Sequence, residues 1–341
     1  MTSSLLLNLL RVTKKIPPPA CLPYQNTTVL YAYSTDIDYD TYWYGVHNMV
    51  HYADMYATMA NVRFDTKQEE EIEYHSDKKS LNNSLYSRKP DSSLGYGVKT
   101  IESNLYNVLK KFLNNKKTPI CGAQVFIAVK RYPDESDVSD IISQLRANRV
   151  MVRIAVDSSP SGGSNFATLY EMSLQTNGYC VFASGRDLVN AFDEMTWILG
   201  RPYQFIARNF VVSRSSRIEI PLFKTSVLPS HTEYSLFAIT IQNHSKNNFQ
   251  VKTVSLITAL DNSFVSMNYT IASTDGFYVT KFPGDQLYPL YGTAQSGGFP
   301  LNGSLLYKWT IDYHYDNDEP QVIQLRIYSQ FYNDFLPLPN F

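Results

Sequence analysis

The spacing of the hydrophobic residues changes near residue 205, and this change constrains the fold more than any other feature of the chain. Before it, short apolar runs such as "TTVLYAY" and "QVFIAV" alternate with segments whose apolar residues recur every three or four positions. This pattern predicts buried parallel strands joined by right-handed helical crossovers. After it, apolar and polar residues alternate singly, as in "YKWTIDYHY", which is typical of half-buried antiparallel strands.

A chain of 341 residues suits two domains better than one core. We predict an α/β doubly wound, mostly parallel sheet over residues 25–205 and a C-terminal antiparallel β-sandwich over residues 212–341, with the boundary between 205 and 215. Residues 1–24 form a separate N-terminal segment that resembles a degenerate export signal. Its apolar run is short, and its basic residues follow that run instead of preceding it.

Several elements are predicted from local patterns. The first helix is predicted from an apolar stripe at helical spacing, formed by Val46, Met49, Val50, Ala53, Ala57 and Ala60. Residues 66–95 form a polar, charged stretch, after which apolar residues at helical spacing resume at Ile101. In the second domain, "NFQVKTVSLI" predicts one of the antiparallel strands.

The composition excludes two classes of partner. The formal net charge is -1, and no cluster of lysine and arginine with interleaved aromatic residues is present, so we expect no nucleic-acid binding. No apolar stretch reaches the roughly 18 residues that a membrane-spanning helix needs. No pattern predicts a cofactor, and we expect none.

The three cysteines leave one unpaired in any arrangement. Cys121 and Cys180 are the candidate disulfide. By closing the loop between them, this bond would stabilise the folded state by about 4 kcal/mol in the chain-entropy model. Two buried free thiols are the alternative. Cys21 is expected to remain unpaired.

Five sequons permit glycosylation in an exported protein without arguing for export. Their asparagines are Asn26, Asn82, Asn243, Asn268 and Asn302.

Three aspartates alternate in "YAYSTDIDYDTYW", directly after the first predicted strand. Carboxylates at this spacing hold Mg²⁺ or Ca²⁺ in many proteins. The EF-hand pattern, counted from Asp36, requires glycine at its sixth position and glutamate at its twelfth. Thr41 and His47 stand there instead, so this loop is not an EF-hand.

A second comparison rests on the stretches "YAYSTDID", "KRYPDESD", "SPSGGS" and "TNGYC". Over residues 25–215 the chain resembles the von Willebrand factor type A domain, and more specifically a nematode group of secreted A-domain-like proteins of unknown function. Many A domains bind Mg²⁺ through D-x-S-x-S, a threonine from a second loop and an aspartate after the fourth strand. The resemblance implies a ligand-binding edge at the carboxyl ends of the strands.

This resemblance aligns Ser34, Asp36 and Asp38 with the D-x-S-x-S motif, and Thr100 lies near the position of the second-loop threonine. Lys130 and Arg131 stand where the metal-binding members carry a carboxylate. Carboxylates within about 6 Å repel by a few kcal/mol per pair, so a positive charge must lie among them. We predict a degenerate site in which Lys130 or Arg131 replaces the metal ion.

Three other motifs are weaker candidates. His47 and His51 stand four apart with Asp54 nearby, but they lack a third nitrogen ligand and favour a solvated helix face over a zinc site. Ser161 and Ser164 lie in a loop that does not match G-x-S-x-G, which favours a turn over a catalytic serine. The "DNDE" stretch at 316–319 is typical of a hairpin turn.

The sequence therefore predicts a non-enzymatic extracellular protein that binds a protein or carbohydrate partner. This prediction rests on the resemblance and on the lack of catalytic constellations. Three alternatives stay open. They are a metal-dependent adhesion module that binds Mg²⁺ or Ca²⁺ at Asp36 and Asp38, a hydrolase that uses the Ser161/Ser164 loop, and a purely structural or matrix role.

Overall fold

The computed structural model describes residues 21, 27–225, 227–242, 263–284 and 290–332. A six-stranded sheet forms the first part, in the order β3-β2-β1-β4-β5-β6, with β3 antiparallel and the other strands parallel. Its strands are β1 (Thr28–Ser34), β2 (Thr58–Phe64), β3 (Glu73–His75), β4 (Gln124–Val129), β5 (Met151–Asp157) and β6 (Tyr179–Ala183). The prediction of a mostly parallel α/β sheet is confirmed.

Helices cover both faces of this sheet. They are α1 (Tyr39–His51), α2 (Lys78–Ser87), α3 (Leu105–Leu113), α4 (Ser139–Ala147), α5 (Ala167–Gln175) and α6 (Gly185–Trp197). The apolar sides of α1, α2 and α6 pack on one face, and those of α3, α4 and α5 pack on the other. Strands such as β4 are buried along their whole length for this reason.

One local prediction in this part was wrong, and two elements were not predicted. The predicted first helix ran through Ala57 and Ala60, but α1 ends at His51 and Ala60 lies inside β2. Small apolar residues at helical spacing also fit a buried strand, so the stripe continued past the true helix end. The polar, charged stretch 66–95 contains β3 and α2, and Asp77 caps the first turn of α2.

The second part consists of two four-stranded antiparallel sheets, ordered β11-β10-β13-β8 and β12-β9-β14-β7. The strands are β7 (Tyr203–Val212), β8 (Ser215–Lys224), β9 (Thr232–Ile241), β10 (Phe264–Ser273), β11 (Val279–Phe282), β12 (Ala294–Asn302), β13 (Leu306–Tyr315) and β14 (Gln321–Ser329). Both sheets contribute to one apolar core around Trp309. The predicted strand at 248–257 lies outside the described residues.

The boundary between the two parts lies earlier than predicted. Tyr203 already pairs with Ser329 of β14, whereas the sequence placed the boundary between 205 and 215. Strand β7 is an edge strand with few fully buried residues, and its sequence therefore lacks the clear alternation that marks the other strands.

Two buried arginines join the two parts. The guanidinium of Arg153 on β5 lies between the rings of Phe126 and Tyr328, 5.0 and 4.9 Å from their centroids. Arg326 on β14 donates from Nε to the carbonyls of Asn177 and Gly178, at 3.1 and 2.8 Å. Burial lowers the pKa of Arg326 to about 10. Each cation is held by groups from both parts, which fixes their relative position.

The predicted disulfide was wrong. Cys121 bonds to Cys21, with 5.4 Å between their Cα atoms, and Cys180 is a buried free thiol. The strand registers align Cys180 of β6 with Ile154 of β5, and Ile154 with Ile127 of β4, so that Cys180 lies two strands away from Ile127. Strands two apart are separated by roughly 9–10 Å, beyond the roughly 7 Å that a disulfide spans, and Cys121 precedes the start of β4.

Candidate functional site

The polar residues singled out in the sequence gather at the carboxyl edge of the parallel sheet. From β1 the chain passes to α1 on one face, and from the neighbouring β4 it passes to α4 on the opposite face. Strands β1 and β4 therefore form the topological switch point, where doubly wound sheets bind their ligands. Ser34 ends β1, and Lys130 and Arg131 directly follow β4.

A buried carboxylate forms the base of this edge. Asp65 follows β2 with a φ of 65° and is fully buried. Its Oδ1 accepts hydrogen bonds from the Ser103 hydroxyl at 2.7 Å and from the Asn104 N–H at 3.1 Å. Its Oδ2 accepts from the Ser34 hydroxyl at 2.9 Å. These three donors hold the carboxyl group in one orientation.

Burial raises the pKa of Asp65 to about 7, because a charge is costly away from water. The negative charge of Asp36 raises it further, whereas the hydrogen bonds from Ser103, Ser34 and Asn104 lower it. Asp65 therefore changes its charge near neutral pH.

Ser34 links three strand ends. Besides donating to Asp65, its Oγ accepts the N–H of Lys130 at 2.9 Å. The buried hydroxyl thus ties the ends of β1 and β2 to the segment after β4.

Arg131 is the cation closest to the aspartate loop. Its Nη2 lies 3.9 Å from Oδ2 of Asp36, and its side chain is only 3% exposed. Nη1 donates to the carbonyls of Val98 and Ile101 at 2.9 and 2.6 Å, and the guanidinium lies 5.4 Å from the ring centroid of Tyr96. Oδ1 of Asp36 has no hydrogen-bond partner in the described part of the chain, so Arg131 is its principal counter-charge.

The "SPSGGS" loop makes room for this arginine. A Cβ atom at Gly162 would lie 2.0 Å from Nη1 of Arg131, and one at Gly163 would lie 1.8 Å from the Tyr132 carbonyl oxygen. Gly163 also has a φ of +69°, a conformation that glycine adopts without strain. The glycines of this motif are therefore required by packing against the segment after β4.

Lys130 points away from the aspartate loop. Its Nζ donates to Oδ2 of Asp157, the last residue of β5, at 2.5 Å. The other oxygen of Asp157 accepts the Ser159 N–H at 2.8 Å. Of the two predicted substitutes for the metal, Arg131 lies beside Asp36 and Lys130 does not.

The three alternating aspartates diverge. Asp36 faces Arg131, whereas Asp38 caps α1 by accepting the Thr41 N–H at 2.8 Å and also binds the Thr41 hydroxyl. Asp40 is exposed in the first turn of α1. Among the described residues, no three side chains of histidine, cysteine, aspartate or glutamate are grouped to hold a metal ion.

Sequence reasoning missed two members of the edge, Asp65 and Ser103. Thr100 was aligned with the second-loop position, but it is exposed, and the hydroxyl that reaches Asp65 belongs to Ser103. Asp65 could have been found, because it directly follows the buried strand β2 and the carboxyl ends of neighbouring parallel strands lie together. Ser103 lies in a long connection and had no such signal.

The remaining candidates form no site. The rings of His47 and His51 stack on the exposed side of α1, 6.3 Å apart. Ser164 donates to Asp134 at 2.9 Å and Ser161 to the Lys130 carbonyl at 3.5 Å. Neither serine bonds to a histidine within the described ranges. The "DNDE" stretch joins β13 to β14, but these strands lie in different sheets, so the prediction of a hairpin turn was wrong. Asparagine and aspartate favour any tight turn, and their presence does not show whether the flanking strands pair with each other.

Comparison with known proteins finds a family model that matches part of the chain. A family model for a domain of unknown function, DUF7154, matches residues 208–330, which is less than half of the chain. No curated protein matches. One solved structure, titled "Crystal structure of CapF with inhibitor 3-isopropenyl-tropolone", is 8% identical with a TM-score of 0.21, and the match covers 89% of this chain and 96% of that one. A likeness this weak carries no argument about fold or function.

Within the described residues, no helix combines the length and apolarity needed to cross a membrane.

Proposed function

We propose that this protein is a non-enzymatic, extracellular binding protein whose α/β part is a degenerate von Willebrand factor type A-like domain with a metal-free ligand edge. The observation that carries the proposal is the buried guanidinium of Arg131 beside Asp36 at the switch point of the sheet. A cation supplied by a side chain takes the role that a divalent ion has in the metal-binding members of that family.

Charge balance at the edge supports this proposal. Arg131 faces Asp36, Lys130 neutralises Asp157, and the amino end of α1 stabilises Asp38. Asp65 receives three hydrogen bonds and takes up a proton near neutral pH. Because each of these carboxyl groups has its own compensation, the edge carries little unbalanced negative charge that would attract a divalent cation.

The Cys21–Cys121 disulfide supports an extracellular location, because such bonds persist in oxidising compartments. The expected partner is a protein or a carbohydrate. Lys130 and Asp38 are both accessible to solvent at this edge. The partner is therefore expected to present groups that pair with both a cation and an anion.

Calorimetric titration of the full chain with CaCl₂ and with MgCl₂ tests the metal-free edge. We expect no saturable heat from the wild-type protein near neutral pH, and no change in melting temperature on adding EDTA. Lys130→Gln, which removes a cation that does not face Asp36, is the matched control and should behave identically. Saturable binding by the wild-type chain would refute the metal-free edge and favour the adhesion alternative.

Location and chemistry are tested separately. The full-length chain, expressed with its own amino terminus in a secreting cell, should reach the medium with one thiol that is titratable after unfolding in denaturant, rising to three after reduction. Retention inside the cell with three free thiols would contradict the location. A fluorophosphonate probe should leave Ser161 and Ser164 unlabelled, and labelling of either serine would contradict the non-enzymatic assignment.

A further inference from the structure

A groove opens at one end of the antiparallel part, between the β10–β11 hairpin and the turn that joins β12 to β13. Its volume is about 400 Å³, within the range of roughly 300–1,000 Å³ that is typical of small-ligand sites. Six residues line it: Asp275, Phe277, Tyr278, Asn302, Ser304 and Leu305. The groove therefore joins an aromatic hairpin tip to a polar turn.

Phe277 is the most exposed large apolar side chain of the described residues, at 88%. Its position is fixed by the hairpin: its N–H donates to Asp275 at 3.0 Å, and Asp275 also accepts the Ser273 hydroxyl at 2.6 Å. Gly276 supplies the positive φ of the turn, +76°. The hairpin backbone thus fixes the point from which this phenyl ring extends into solvent beside the groove.

The turn on the other side of the groove carries a sequon, Asn302-Gly303-Ser304. Oδ1 of Asn302 accepts the Ser304 N–H at 2.8 Å, and the backbone N–H of Asn302 donates to the Tyr307 hydroxyl at 2.7 Å. Nδ2 of Asn302 makes no hydrogen bond within the described part of the chain. Its amide nitrogen is thus available at the wall of the groove.

We propose that Asn302 is N-glycosylated and that the first N-acetylglucosamine lies in this groove against the ring of Phe277. Nδ2 forms a bond to C1 of the sugar and loses a proton, while the bond from C1 to the pyrophosphate of a lipid-linked oligosaccharide donor breaks. The apolar face of the sugar covers the phenyl ring, and Asp275 and Ser304 offer polar partners to its hydroxyl and amide groups. This inference rests on the proposed extracellular location.

The other described sequons lack these features. Asn82 lies on α2, and the hydroxyl of its Ser84 is turned inward, donating to Oδ1 of Asn61 at 3.1 Å. Asn268 is exposed in the middle of β10, between β11 and β13. Neither asparagine is among the residues that line this groove. Asn26 and Asn243 lie outside the described residues.

The test separates glycan attachment from glycan packing. The full chain, preceded by a cleavable export signal that forces entry into the secretory pathway, is purified from the medium and its occupancy at Asn302 is measured by peptide mass spectrometry. We expect occupancy at Asn302 and its loss in Ser304→Ala. A secreted, disulfide-bonded chain with an unmodified Asn302 would overturn the inference while leaving the proposed location intact.

Packing is measured as the rate at which a peptide-N-glycosidase removes the Asn302 glycan from the folded protein. Phe277→Ser should speed removal roughly five-fold, since an aromatic contact is worth about 1 kcal/mol. Val279→Ser, which removes an apolar side chain that is exposed on the same hairpin but does not line the groove, should leave the rate unchanged. Equal rates in the wild type and Phe277→Ser would overturn the groove as the seat of the sugar.

Discussion

Asp65 should make the stability of the fold decrease as the pH rises, and replacing it with asparagine should remove that decrease. Its pKa is about 7 in the folded protein and has an ordinary value of 3.8. Between these values the folded state keeps a proton that the unfolded state has released. The free energy of unfolding therefore falls with increasing pH and levels off above the folded pKa.

The magnitude follows from the two pKa values. Between pH 4.5 and pH 8 this one group should lower the free energy of unfolding by about 3 kcal/mol. Asp65→Asn keeps an acceptor for the Ser103 hydroxyl and the Asn104 N–H, and its amide can donate to Ser34 as a protonated carboxyl group does. Asparagine also tolerates the positive φ at this position.

Urea unfolding at both pH values checks this reasoning. The stability of Asp65→Asn relative to the wild type should increase by about 3 kcal/mol from pH 4.5 to pH 8. Other titrating groups, including Glu194, whose pKa burial raises to about 8, contribute equally to both proteins and cancel in this difference. If the two stability curves run parallel across this range, the pKa of Asp65 is not raised and the description of the buried edge is wrong.

Three further perturbations test contacts that hold the α/β part together. Arg131→Met should lower the free energy of unfolding by about 3 kcal/mol, because it leaves Asp36 without its counter-charge. Lys130→Met, at the more exposed position, should lower it by about 1 kcal/mol or less. Urea unfolding measures both losses, and equal losses would contradict the different burial of the two cations. Gly163→Ala should lower the melting temperature by several degrees, since the added methyl group meets the Tyr132 carbonyl and strains the backbone; an unchanged melting temperature would contradict the close packing of this loop. Cys121→Ser should cost about 4–5 kcal/mol by opening a loop of 100 residues; a loss no larger than that of Cys180→Ser would show that the bond does not form.

Strand types that follow from the pattern of neighbouring residues were predicted well. The apolar run of β4 and the single alternation through Trp309 and Ile311 gave the correct types of strand, because burial on two faces or on one determines those patterns directly. Residues brought together over long distances were not predicted. Ser103 reaches Asp65 across 38 positions, and Cys21 reaches Cys121 across 100, and neither pairing leaves a local trace in the chain.

The presence of a basic side chain beside Asp36 was predictable for a different reason. A carboxylate that leaves water requires a compensating charge, so a basic residue at an adjacent strand end predicts an ion pair whatever the family. The choice between Lys130 and Arg131 depends on which side of the strand each faces. Successive residues point in opposite directions, and the sequence did not show which direction leads to the aspartate loop.

The two buried arginines set a limit on where this chain can be divided. The segment matched by the family model, residues 208–330, retains Arg326 but omits Asn177 and Gly178, whose carbonyls accept its hydrogen bonds. The segment also omits the first half of β7. In an excised segment the guanidinium of Arg326 would lack those two acceptors. The part of β14 that pairs with the omitted residues of β7 would also be unpaired. In recombination or in protein engineering, the unit that transfers intact is therefore larger than the unit that sequence similarity outlines.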